Sequence, residues 1–384
     1  MSPAIPSFTR RCIATALLGI GLVTNALAED GISATEVRLG MANAQSGAAA
    51  ALGTGIKAGA QAYFDRVNAS GGINGRKIAL VVKDDGYEPA RSVAATESLI
   101  NSDKVFALFG YVGTPTSTAS VPFASKAQVP YLFPLTGAEF LRNPVNKFAF
   151  NVRASYFDET ETMVERLTKD LGVKKIAMLM QDDAFGEAVK GGVARALFKR
   201  DMKIHAEARI KRNSMEIDAG IDAMKQAQPE AIVFVGTYKQ MAAAIKKAKA
   251  IGIKARFLTV SFIGTENFIA EAGADGDGVY ITQVVPSPND PSVPIVKDYL
   301  ADTKGKNVGY TSLEGYINAV VFIEALKKSG TDPTRATLLA ALESLKTDIG
   351  GVSIQFSPSS HQGSKSVFLT RVQDGKAIGQ SKMQ

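Results

Sequence analysis

Residues 37–83 read VRLGMANAQSGAAAALGTGIKAGAQAYFDRVNASGGINGRKIALVVK, and the way this stretch divides decides the fold. Val37–Met41 is a short β-branched and aliphatic run that predicts a strand. Ala51–Asn68 is alanine-rich, free of proline and long enough for a helix, and Lys77–Lys83 returns to strand composition. Small-residue turns, Gln45-Ser46-Gly47 and Gly71-Gly72, separate the three. A strand, a helix and a strand in this order read as one βαβ unit of a parallel sheet.

The same alternation runs outward. Pro89–Asn101 predicts a helix, Val105–Phe109 a strand, Pro115–Lys126 a helix and Val129–Phe133 a strand. It then restarts: helices over Tyr156–Asp170, Ala184–Arg200, Met215–Gln226 and Tyr238–Ile251 alternate with strands at Lys174–Met180, Lys203–Glu207, Ala231–Val235, Phe257–Val260 and Gly278–Gln283. Four prolines between Pro286 and Pro294 mark an irregular crossing. Helices near 292–303, 310–328 and 334–345 follow, then short strands around turns at Val352–Phe356, Lys365–Arg371 and Lys376–Ile378. The fold expected is therefore α/β with two lobes, each a mostly parallel, doubly wound sheet flanked by helices. Residues 29–151 with 286–346 form lobe 1, and 152–285 with 347–384 form lobe 2. Three crossings, near 151, 285 and 347, make the hinge.

Composition agrees with two cores: 384 residues, 46% apolar and 21% charged, exceed one average domain. At the N-terminus Arg10 and Arg11 precede an apolar run from Cys12 to Val23 and then Ala26-Leu27-Ala28. This is the layout of a cleaved secretory signal over 1–28, and the run is shorter than the roughly 20 apolar residues of a spanning helix. Cleavage near Ala28 and a periplasmic destination are expected. Cys12, the single cysteine, leaves with the signal, so no disulfide or Cys-based metal site remains. Removing Arg10 and Arg11 from the 44 basic residues leaves 42 against 37 acidic ones, a net +5. The basic residues are dispersed, tryptophan is absent, and Lys246, Lys247 and Lys249 fit a solvated helix face, so a nucleic-acid partner is not expected.

Open parallel sheets bind ligands beyond the carboxyl ends of their strands, so the loops leaving the strands carry the candidate site. Gly110-Tyr111-Val112-Gly113-Thr114-Pro115 opens a helix whose first N–H groups suit a carboxylate. Pro134-Leu135-Thr136-Gly137-Ala138 and Gln45-Ser46-Gly47 join it on the same rim. In the second unit Phe185, Tyr238 and Phe262, with Ser261, follow three successive strands, an arrangement that suits the opposite wall of a cleft. Motifs for nucleophilic, zinc or phosphate chemistry are missing, and the two histidines, His205 and His361, lack metal-ligand spacing. Gly53-Thr54-Gly55-Ile56-Lys57-Ala58 matches a relaxed dinucleotide fingerprint but starts too far beyond its strand. Asp84-Asp85 and Asp182-Asp183 fit loop caps better than calcium ligands. An enzyme, a cofactor and a metal site are not expected.

Taken in order, several motifs resemble, over nearly the whole mature chain, the type I periplasmic binding proteins of the leucine/isoleucine/valine-binding branch. They are Gln45-Ser46-Gly47, Gly71-Gly72-Ile73-Asn74-Gly75-Arg76, Lys83-Asp84-Asp85-Gly86, Gln181-Asp182-Asp183-Ala184-Phe185-Gly186, Gln283-Val284-Val285-Pro286, Ser312-Leu313-Glu314-Gly315-Tyr316 and Gly350-Gly351. The resemblance implies a solute receptor that hands a small carboxylate-bearing ligand to the inner-membrane permease of an ABC importer; a monomer is the default expectation. It places the carboxylate on Ser46, Gly113, Thr114 and Thr136, with Tyr111, Leu135 and Gly137 on the same loops. It puts Phe185 and Tyr238 on the second-lobe side, where Tyr156, Ser261, Phe262 and Gln283 are further candidate contacts. Amino-acid binders of the branch carry an acid after the strand equivalent to Phe257–Val260, to pair with the ammonium. Here Ser261-Phe262-Ile263-Gly264 stands there, with no acid before Glu266. Either Asp158 or Asp182 substitutes, or the ligand lacks an ammonium. The ligand classes left open are branched-chain or aromatic amino acids and aromatic or aliphatic acids. A ligand sensor of the same fold, presenting its closed form to a signalling receptor, is the alternative role.

Overall fold

The computed structural model describes residues 1–4 and 29–384. The expected signal, with Cys12 and the cleavage near Ala28, lies in the main outside the described residues. No helix among the described residues is long and apolar enough to cross a membrane.

Five strands, β1 (Glu36–Asn43), β2 (Lys77–Asp84), β3 (Ala107–Phe109), β4 (Tyr131–Leu132) and β5 (Ala149–Phe150), form a parallel sheet in the order β2-β1-β3-β4-β5. The next five repeat that order. β6 (Ile176–Gln181), β7 (Ala206–Ile210), β8 (Ala231–Val235), β9 (Arg256–Thr259) and β10 (Tyr280–Gln283) run β7-β6-β8-β9-β10, again parallel. β11 (Lys346–Asp348) and β12 (Ser353–Gln355) make a separate antiparallel ribbon, and β13 (Phe368–Gln373) and β14 (Lys376–Gln380) extend the second sheet antiparallel from β10. β6 and β8 are buried along their whole length, as sheets covered by helices on both faces require. The α/β, two-lobed, doubly wound expectation is met. In each sheet the order reverses between the first and third strands, which opens a crevice at their carboxyl ends.

The third crossing differs from the expected place near 347. β11 and β12 stay with lobe 1: the Gly350 carbonyl accepts from Ile295, and the Phe356 ring packs against Phe133 and Phe150. His361 stacks on Phe150 at 3.7 Å and its carbonyl accepts from Asn151. The chain therefore passes to lobe 2 only between Gln362, which bridges to Asn151, and β13. The apolar residues of 349–356 found a partner in the first core, which strand propensity alone did not specify. Similarly, β7 begins at Ala206 and not Lys203, because its register is set by pairing Ala206 with Ala177. The helix expected from Met215 begins at Asp218, and the helix Thr265–Ala272 is one that the sequence pattern does not announce.

The glycine-rich 53–58 stretch serves packing. Helix Ala50–Ala69 crosses helix Tyr310–Lys328, which is buried along most of its length. A Cβ on Gly59 would lie 1.7 Å from the Ser312 carbonyl oxygen, and one on Gly315 would lie 2.2 Å from that of Ile56. Gly53 lies as tightly against the Ala44 carbonyl, at 1.9 Å. Backbone therefore meets backbone at this crossing. Gly59→Ala should destabilise the protein by roughly 1–3 kcal/mol or more, because a helix-favouring methyl has no space. Urea unfolding checks this, and unchanged stability would contradict the crossing.

Candidate functional site

The first-lobe rim is built at the ends of β3 and β4. Gly113 caps helix Thr114–Lys126 at φ 103°, a conformation that favours glycine, and a Cβ there would lie 2.2 Å from the Tyr87 ring. Leu135 ties the two loops together: its N–H donates to the Tyr111 carbonyl and its own carbonyl accepts from Gly113. This brings the buried hydroxyls of Thr114 and Thr136 to 2.7 Å. A helix start leaves its first N–H groups without intrahelical partners, so hydroxyls and amides converge here. Gly137 completes the rim, with a Cβ position only 2.6 Å from the Tyr156 ring and a carbonyl that accepts the Tyr156 N–H at 2.7 Å.

From Tyr156 a chain of rings runs across the lobe interface. Tyr156 meets Phe185 at 5.5 Å, Phe185 meets Phe262 at 4.6 Å, and Phe262 meets Tyr87 of the first lobe at 6.0 Å. All four rings are buried. Asp183 holds Phe185 at its helix start by accepting its N–H, and Gln181, the last residue of β6, donates its amide to the Tyr87 hydroxyl at 3.2 Å. Edge and tilted ring contacts of this kind add about 0.5–1.5 kcal/mol each beyond area burial.

Other expected residues lie elsewhere. Ser46 is exposed at the mouth, its hydroxyl donating to Asp84 at 2.5 Å, and has no contact to the threonine pair. Tyr111 turns away, bonded to Thr96 and packed on Tyr131 at 4.7 Å. Tyr238 joins the core on the other face of the second sheet, with Leu179 and Phe234, and not the ring chain. Gln283 directs its amide nitrogen to Thr265 and Thr370 inside lobe 2, with its Oε1 atom buried and without a partner. Asp158 caps helix Tyr156–Leu171 and accepts from Gln362, and Asp182 pairs with Arg209. Glu266 accepts the Tyr310 N–H from the other lobe and lines a separate polar cavity of about 220 Å³ with Asn307 and Ser312.

The acid beside Ser261 is Glu159. It accepts the Ser261 N–H (2.9 Å), the Ser261 hydroxyl (3.0 Å) and the Thr282 hydroxyl (2.6 Å). Arg153, on the first crossing, pairs with Glu159 at 3.1 Å and with Glu314 of lobe 1 at 3.4 Å, and also donates to Ser261. All three charged side chains are at most 5% exposed. Burial pushes the Glu314 carboxyl up, and Arg153 opposes it. Ser261 was expected at the site, whereas Arg153, Glu159 and Glu314 were missed because their positions in the chain have no spacing signal. Tyr87 and Gln181, by contrast, lie at strand ends, where the crevice rule points.

The sequence profile of the family described as periplasmic binding protein matches residues 36–377, so the chain belongs to that family. It is of the leucine/isoleucine/valine-binding-protein-like, type I kind. The structure resembles that of a possible leucine/isoleucine/valine-binding protein from Rhodopirellula baltica SH 1, with 30% identity, a TM-score of 0.87 and 93% and 98% of the two chains covered. A substrate-binding periplasmic protein from Ralstonia solanacearum is similar at 29% identity and TM-score 0.84, over 90% of this chain and 100% of that one. A Leu/Ile/Val-binding protein homolog 3 of Brucella melitensis is 23% identical over 90% of this chain and 93% of its own.

Two outcomes test the site's charges. Arg153→Met should cost about 3–5 kcal/mol, since it leaves two buried carboxylates unpaired; calorimetric melting reads this, and a neutral variant would rule out the network as drawn. Asp85 accepts the Tyr87 N–H at 2.8 Å, and burial pushes its carboxyl up from 3.8 to about 6, with that hydrogen bond opposing. Between those values the native state holds the proton more tightly, so stability is lost as pH rises from about 4 to 6. Asp85→Asn keeps the acceptor and should melt higher than the parent at pH 7.5, by on the order of 2 kcal/mol, with the two converging near pH 4. Parallel melting curves across that range would contradict it.

Proposed function

We propose that this protein is the exported solute receptor of an ABC importer. It captures a small carboxylate-bearing ligand with an apolar or aromatic body between its lobes and delivers it, as a monomer, to an inner-membrane permease. The observation that carries the reading is the Thr114–Thr136 hydroxyl pair at a helix start, 2.7 Å apart, beside rings supplied by the other lobe. A carboxylate there meets hydroxyl and N–H donors and the positive end of the helix, while Phe185 and Phe262 cover the body. Phe185 has no hydroxyl and contributes packing alone. The names of relatives, leucine-, isoleucine- and valine-binding proteins among them, support an amino acid or an acid of similar size. Export of the chain rests on residues 1–28, with cleavage near Ala28.

The ligand binds the first lobe, and second-lobe contacts then favour the closed form; periplasmic binding proteins are a standing example of such hinge closure. A thermal-shift screen of the mature protein against amino acids, aromatic acids and short aliphatic acids should give at least one clear hit, because ligand at 100 times its Kd stabilises by about 2.7 kcal/mol. With that hit, Thr114→Val should weaken binding about tenfold or more, as loss of a hydrogen bond to a charged group does. Phe185→Ala should weaken it as well. Unaltered Kd in both variants would remove the site from the function.

A further inference from the structure

The polar atoms at the apolar end of the ring chain are not all used. Gln181 is buried; its amide nitrogen donates to the Tyr87 hydroxyl at 3.2 Å and to Asp183 at 2.6 Å, while its Oε1 atom has no partner. The Asp183 bond fixes which end of the amide is nitrogen. The Tyr87 oxygen accepts from Gln181, so its own hydrogen is left to donate elsewhere. A buried acceptor without a donor costs about 1–3 kcal/mol. Tyr87 is moreover held for this position: its φ is 63°, its N–H is taken by Asp85, and its ring rests on Gly113, where no side chain fits.

We propose that Tyr87 and Gln181 are specificity-determining residues that read a hydroxyl group on the ligand's body, so the preferred ligand is a phenol-bearing carboxylate. This rests on the site reading above and adds the ligand class. One phenol hydroxyl satisfies both open valences: its hydrogen goes to Gln181 Oε1 and its oxygen accepts from Tyr87. The carboxylate lies at Thr114 and Thr136, and the aromatic body between Phe185, Phe262 and the tyrosine rings. The pair also spans the lobes, with Tyr87 on the first and Gln181 on the second, so a hydroxyl that joins them strengthens the closed form selectively. A site built to hydrogen-bond a hydroxyl rejects the analogue that lacks it, because its own groups are then left unpaired.

Isothermal titration calorimetry of the full mature protein with two matched pairs tests this: 4-hydroxyphenylacetate against phenylacetate, and tyrosine against phenylalanine, with leucine alongside. The phenol of at least one pair should bind about tenfold tighter than its partner, the worth of one buried hydrogen bond. Whichever pair shows it decides between the amine-free and the amino-acid source. In Tyr87→Phe, which keeps the ring, and in Gln181→Met the preference should shrink to about twofold or less. Equal binding within both pairs, leucine as the only ligand, or a preference that survives both substitutions overturns the hydroxyl reading and leaves the carboxylate site standing. Failure of all five compounds to bind overturns the hydroxyl reading as well, and the carboxylate site then falls only if the broader thermal-shift screen also gives no hit.

Discussion

One guanidinium holds the lobes in register. Arg153 lies on the first crossing and reaches Glu314 on a first-lobe helix and Glu159 on a second-lobe helix, with Ser261 and Thr282 filling the remaining valences of Glu159. Burying three charges is unfavourable unless each is paired and hydrogen-bonded. Both carboxylates meet Arg153 in this placement of the lobes, with the arginine Nε left without a partner, and a shift of a few ångströms would expose or orphan a carboxylate. Such a network specifies geometry more than it adds stability. It lies beside the ring chain, since Ser261 precedes Phe262 and Arg153 lies over the Tyr156 ring.

Two glycines make room for the rings at the two ends of the ring chain. Tyr87 lies over Gly113 and Tyr156 over Gly137, and in each case a methyl group would overlap the ring. The result is a buried, aromatic interior beside a small polar patch, the composition of a small-molecule site: mostly apolar lining with a few placed donors. In a low-dielectric setting these donors act more strongly on a carboxylate than the same groups would in water.

Contacts at the perimeter are of another kind. Glu88 of lobe 1 meets Arg212 at 3.0 Å and Asn213 at 2.7 Å, partly exposed, and Glu266 caps the Tyr310 N–H on the other flank. Exposed ion pairs contribute about 0–1 kcal/mol and are screened by salt. The balance between lobe arrangements is therefore weighted toward the buried centre. On the proposed reading as a solute receptor that weighting matters, since a ligand shifts the equilibrium only by its differential affinity for the two forms.

The alternation of short aliphatic runs with amphipathic ones was enough to establish two parallel sheets, because a buried parallel strand must be apolar on both faces and must be followed by a crossover helix. The rim at Thr114 and Thr136 was legible for a related reason: ligand loops lie at strand carboxyl ends, and helix-start chemistry is local. The placement of Tyr238 behind the second sheet, the β11–β12 ribbon on lobe 1, and the Arg153–Glu159–Glu314 network were decided only by the tertiary structure. Each depends on contacts between residues far apart in the chain, and neither propensity nor periodicity records which of two apolar surfaces a segment covers, or which distant carboxylate a buried arginine meets.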